Sequence, residues 1–99
     1  MFDVRPYGDR FGAEITKALF KSESLEAIRL VLPKGKKIPP HHTRGDVTVQ
    51  CLEGHVLFTE EQTVRELRPG DLIYVPPGCS HALEALENTS LLVTIAFKK

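Results

Sequence analysis

Few residues in this 99-residue chain could do chemistry, and they cluster: the adjacent pair His41 and His42, then His81, with Cys79 two residues before it. An imidazole near neutral pH can ligate a metal through either ring nitrogen, or it can simply hydrogen-bond within a protein wall. His81 ends the stretch Gly70-Asp71-Leu72-Ile73-Tyr74-Val75-Pro76-Pro77-Gly78-Cys79-Ser80-His81. Pro69-Gly70 has the chemistry of a reverse turn, with proline presetting φ and glycine supplying positive φ. Leu72 to Val75 is a short run of strong β propensity. Pro76-Pro77 stops that strand, because proline cannot donate to a ladder. Gly78 is then expected at positive φ. Punctuation of this kind can set one imidazole at the mouth of a β-barrel, or leave it bonded in the wall. Spacing alone leaves both readings open.

Strands must position these side chains, and the chain predicts eight or nine short ones. Phe2 to Gly12 reads as a loop or short edge segment, broken by Pro6, Gly8 and Gly12. Glu14 to Phe20 reads as a strand, with a helix over 13–20 as the competing assignment. After the polar turn Lys21–Ser24, Leu25 to Leu32 predicts a strand with Ile28, Leu30 and Leu32 on one face. Val47 to Leu52 follows, with Val47, Val49 and Cys51 on one face and Thr48, Gln50 and Leu52 on the other. Gly54 turns the chain into His55–Thr59, and Glu60-Glu61-Gln62 loops it into Thr63–Leu67. His81 to Leu86 alternates again, Glu87–Ser90 turns, and Leu91 to Phe97 closes the sheet. Turn signals every eight to twelve residues, with no helix long enough to form a layer, indicate a sandwich or jelly-roll barrel.

Composition narrows the partners. Thirteen Lys plus Arg balance thirteen Asp plus Glu, which argues against a nucleic-acid footprint or an acidic-membrane surface. No apolar run approaches the ~20 residues of a membrane span, and Met1-Phe2-Asp3-Val4-Arg5 lacks the apolar core of a signal peptide. The expected compartment is the cytoplasm, where Cys51 and Cys79 stay reduced. Near-zero charge offers little colloidal repulsion. The apolar hairpin Ile15–Leu32 would otherwise leave an edge strand exposed, so a homodimer is expected.

Two stretches resemble the motifs of the cupin superfamily. Gly70, Pro76, Gly78 and His81 match the second motif in register, and Gly35, His41 and Gly54 match the first. The resemblance covers Gly35 to Ala85, with motif 1 at 35–54 and motif 2 at 70–85. It implies an all-β fold, one jelly-roll barrel of cupin type over residues 1–99, with Val47, Val49 and Cys51 facing the interior. Cupin metal sites use two histidines and a glutamate from the first motif and a histidine from the second. His41 and His81 hold two of those positions. The others are Thr43, Val47 and, for the terminal asparagine of motif 2, Ala85.

By this resemblance the expected metal ligands are His41, His81 and His42, the last requiring an irregular strand at Pro39-Pro40 because neighbouring strand residues face opposite ways. The expected cofactor is one divalent transition metal (Zn, Fe, Mn, Ni or Cu), set against a metal-free barrel. Arg44, Tyr74 and Cys79 are candidate ligand contacts. Against them stand a solvated loop arginine, a wall tyrosine and a small buried turn cysteine. His55, in the hairpin after Gly54, is expected to face solvent. The functional expectation is a barrel that binds a small molecule. A metal-dependent dioxygenase or isomerase is the first alternative, and a structural or regulatory dimer the second.

Overall fold

A computed structural model describes residues 1–97. Among them, nine strands form two antiparallel sheets: β1 (Lys17–Lys21), β2 (Leu25–Leu32), β3 (Lys37–His41), β4 (Val47–Glu53), β5 (Val56–Glu60), β6 (Thr63–Leu67), β7 (Leu72–Val75), β8 (His81–Ala85) and β9 (Thr89–Ala96). The larger sheet runs β1-β2-β9-β4-β7 and the smaller β3-β8-β5-β6. They face each other as a jelly-roll barrel. Alternation builds the core between them. Val47, Val49 and Cys51 of β4, Val56 and Phe58 of β5, Ile73 and Val75 of β7, and Leu83 and Ala85 of β8 are all buried in one cluster. Removing such faces from water supplies the main driving force for closure.

β2 is covered on both faces. Ile28, Leu30 and Leu32 point into the barrel as expected, but Ala27, Arg29 and Val31 on the other face are also buried. Their cover is the N-terminal segment. Residues expected to form a loop or short edge instead contain a 3-10 helical turn over Gly8–Ala13, which packs Tyr7 and Phe11 against Val31.

Three other boundaries differ from expectation. The first strand begins at Lys17 rather than Glu14 and slips register between Ala18 and Phe20. The segment around Pro39-Pro40 is itself a strand, β3, on the edge of the smaller sheet, where proline's missing donor costs least. Its pairing with β8 is irregular between Ile38 and His41. β9 starts at Thr89, inside the expected turn, because Thr89 and Ser90 already pair with Leu32 and Val31.

Gly70 and Gly78 have the positive φ anticipated for them, and Gly54 shares it. Gly78 sits at φ +79° and its N–H donates to the carbonyl of Thr43 at 2.8 Å, tying the turn before His81 to the loop after His41. Gly54 sits at φ +93°, and a side chain there would run into Asn88 and Thr89.

Candidate ligand and metal site

Register brings the two motif histidines together. His41 of β3 pairs directly with His81 of β8, and their ring centroids are 4.2 Å apart. Both rings line a cavity of about 180 Å³ between the sheets. The rest of its wall is aliphatic: Ile28 and Leu30 from β2, Ile38 from β3, Val47 and Val49 from β4, Leu83 from β8, and Val93 and Ile95 from β9. His81 is 4% exposed and stacks on Phe58, with centroids 5.8 Å apart and planes 9° apart. Burial lowers the His81 pKa first of all. The carbonyl of Cys79 opposes the shift and nearby His41 adds to it, the net effect favouring the neutral ring.

Both rings are oriented from behind. The carbonyl of Cys79 lies 3.2 Å from His81 Nδ1, and the carbonyl of Pro39 lies 3.2 Å from His41 Nδ1. A carbonyl only accepts, so in the neutral rings Nδ1 carries the proton and Nε2 keeps its lone pair. Two Nε2 acceptors in a mostly apolar chamber suit a metal ion or a ligand hydroxyl. Backbone carbonyls holding the second nitrogen are the usual support for a ligating histidine.

Other expected site residues lie elsewhere. His42 is exposed and outside the cavity wall, one residue past the end of β3; the expected irregularity at Pro39-Pro40 is present, but it brings His41 to the wall instead. Among the described residues no three His, Cys, Asp or Glu side chains are grouped to hold a metal ion. The three-histidine set is therefore not assembled. Thr43, at the family's second-histidine position, donates instead to the carbonyl of Gly45 at 3.0 Å.

The three candidate ligand contacts do not line the cavity either. Tyr74 is 54% exposed on the outer face of β7, and its hydroxyl donates to Asp46 at 2.6 Å. Ile73 and Val75 take the inward phase of that strand. Arg44 is exposed and outside the cavity wall. Cys79 packs against the core rather than lining the cavity; burial and then the Glu61 and Glu60 carboxylates push its thiol pKa up, away from nucleophilic or ligating thiolate. His55 is not free in solvent: it is half-buried, and its Nε2 lies 2.9 Å from Glu66 Oε1.

Two carboxylates escaped the sequence reading. Glu60 stands directly opposite His81 across β5 and β8, and its Oε2 is buried with no hydrogen-bond partner among the described residues. Its signal was strand phase, because Val56, Phe58 and Glu60 alternate onto one face. Glu53, at the end of β4, accepts from the Tyr7 and Gly8 N–H groups and from the Ser90 hydroxyl, and pairs with Arg29 at 3.3 Å. Arg29, only 1% exposed, also donates to the carbonyls of Asp3 and Arg5 and lies 3.6 Å over the Tyr7 ring. Its signal was an arginine inside the apolar run of β2.

Two antiparallel sheets enclosing a small chamber, with a histidine pair from β3 and β8 at its wall, define a jelly-roll protein of cupin type. The cupin domain family matches residues 28–97, and the chain belongs to that family. It is 28% identical over 95 residues to the protein MJ1618 of Methanocaldococcus jannaschii, covering 91% of this chain and 76% of that one. Among solved structures, it resembles the conserved SPY1581 protein of Streptococcus pyogenes with a TM-score of 0.80 and 28% identity, over 86% of this chain and 75% of that one. A cupin superfamily protein from Desulfitobacterium hafniense, DSY2733, shares the fold at TM-score 0.82 and 20% identity, over 85% of this chain and 77% of that one.

Proposed function

We propose that the barrel binds a small molecule with an apolar body and a hydroxyl-type polar end. The observation that carries this reading is the 180 Å³ chamber, aliphatic except for His41 and His81. An apolar cavity of about 150 Å³ accepts a molecule the size of benzene, so a ligand of phenol size fits. Its hydroxyl would donate to a bare Nε2, and its body would replace water against Val47, Val49 and Val93. Phenol serves as the probe. Calorimetric titration should show saturable binding that Val49→Phe, which fills the chamber, removes. Equal binding by Val49→Phe, or no saturable binding by the wild type, would overturn the reading.

A divalent metal is the second reading, supported by the two carbonyl-oriented imidazoles. Neutral nitrogen donors suit Zn, Fe, Ni or Cu, with Mn favoured more by oxygen donors. An ion there would polarise a ligand oxygen as a Lewis acid. His41 and His81 would hold it, and the aliphatic walls would limit water around it.

Pairing with a second copy is also proposed. β1 is a sheet edge, and Ile15 and Phe20 beside it are exposed; free strand edges favour pairing. Light scattering should find a species of twice 11.1 kDa; a monomer at micromolar concentration would exclude the dimer.

A further inference from the structure

We propose that the chamber selects molecules with two hydroxyls on neighbouring carbons, of catechol or vicinal-diol type, one hydroxyl for each histidine. The inference rests on the small-molecule reading of the chamber and narrows its ligand class. Its first support is that the two acceptors form a matched pair. His41 and His81 are paired in register with ring centroids 4.2 Å apart, and both rings line the cavity. Each Nδ1 lies 3.2 Å from the carbonyl two residues back in the chain, Pro39 for His41 and Cys79 for His81. In the neutral rings both protons are thereby committed to the backbone. Each ring keeps an Nε2 lone pair on the side away from its carbonyl.

The second support is what the rest of the wall lacks. Every other lining side chain is aliphatic, so none of them donates or accepts a hydrogen bond. One hydroxyl donates one bond, so phenol satisfies one nitrogen and leaves the other bare. Two hydroxyls on adjacent carbons serve two acceptors on neighbouring rings. A ketone or carboxylate brings oxygens that only accept, and no side chain of the wall answers them. Burying such a group unpaired costs free energy, most of all when it is charged. An ammonium brings donors but meets no carboxylate on the wall. Size agrees with this class. A chamber of about 180 Å³, against about 150 Å³ for one that takes benzene, admits a single ring with two hydroxyls.

The probes are catechol, phenol, resorcinol and benzoate, titrated calorimetrically at neutral pH with chelator present throughout, so that catechol cannot act by carrying a metal. Catechol should bind about 2- to 10-fold tighter than phenol, the worth of one added neutral hydrogen bond. Resorcinol, whose hydroxyls are not on neighbouring carbons, should bind no tighter than phenol, and benzoate should not compete. Nitrogen-15 spectra should show catechol moving the Nε2 resonances of both histidines. His41→Leu leaves one acceptor, so catechol should fall to the affinity of phenol. Phenol binding, still served by His81, should persist and report an intact chamber. If His41→Leu loses phenol too, the wild-type comparison decides: resorcinol matching catechol would overturn the inference. Phenol binding without a catechol advantage, or an advantage that survives His41→Leu, would also overturn it and leave the small-molecule reading standing. Failure of every probe to bind wild type would overturn both.

Discussion

The molecule holds two carboxylates beside buried nitrogen groups, and they are treated in opposite ways. Glu53, on the outer side of the larger sheet, is saturated: two backbone N–H groups, the Ser90 hydroxyl and the Arg29 guanidinium all donate to it. Through Arg29 the same network reaches the carbonyls of Asp3 and Arg5, so it fastens the N-terminal segment across β2. Glu60, at the barrel's histidine row and beside the Cys79 thiol, has a buried oxygen that no N–H or O–H among the described residues reaches. Satisfied buried networks hold a fold together, whereas an unsatisfied group at a cavity is a place to look for a ligand. The difference is one of satisfaction: Glu53 ties two segments together, and Glu60 ties none.

The comparison breaks most sharply at Glu53. Glu53→Gln would set an amide donor against four donors and leave the Arg29 charge without its counter-ion. Breaking a buried pair from one side costs about 3–5 kcal/mol. The urea midpoint should fall accordingly, with the slope unchanged. A loss under about 1 kcal/mol would show that the network is not what secures the N-terminal segment.

The two turns contrast in the same sense. Gly54 and Gly78 share positive φ, but a Cβ at Gly54 would meet Asn88 and Thr89, whereas one at Gly78 meets nothing within 4 Å. Gly78→Ala should carry only the backbone strain, about 1–3 kcal/mol. Gly54→Ala should cost more, because overlap adds to the same strain. Equal thermal shifts in the two variants would mean that the crowding at Gly54 relaxes freely.

Acid should act on one carboxylate more gently than mutation does. Burial pushes the Glu53 pKa up, but hydrogen bonds from Ser90, Tyr7 and Gly8, together with the Arg29 charge, outweigh it and hold the value below the ordinary glutamate range. A folded-state value below the unfolded one means the stabilisation is complete above about pH 4.3, the ordinary glutamate value. It is lost as pH falls through the lowered folded value. Between pH 5 and 3 (roughly the ordinary range and below), the wild-type melting temperature should drop faster than that of Glu53→Gln. Parallel curves would remove Glu53 from the account.

The smallest effect is expected at His55. Its contact with Glu66 involves a partner whose side chain is half exposed, and such pairs contribute at most about 1 kcal/mol. His55→Ala should leave the melting temperature nearly unchanged; a shift as large as that of Gly54→Ala would show that the contact matters more than its exposure allows.

Much of the fold was legible in the chain. Alternation split β4 into two faces, and the cupin resemblance marked Val47, Val49 and Cys51 as the inner one, which is the buried face. Pro76-Pro77-Gly78 stops one strand before His81, and Gly78 has the positive φ its place in the turn required. Those are local facts, decided within a few residues by sterics and side-chain period. What stood beyond the sequence was adjacency. Alternation tells which side of a strand a residue faces, but not which strand lies next to it. The row His41, His81, Glu60 exists because β3, β8 and β5 are neighbours in one sheet, and nothing near Glu60 in the chain signals that pairing. The same limit hid Arg29: an arginine in an apolar strand reads as an exposed exception until Tyr7 and Phe11 fold over it. At His42 the sequence named the irregularity but not its outcome: β3 slips between Ile38 and His41, and that slip brings His41, not His42, to the cavity wall beside Ile38.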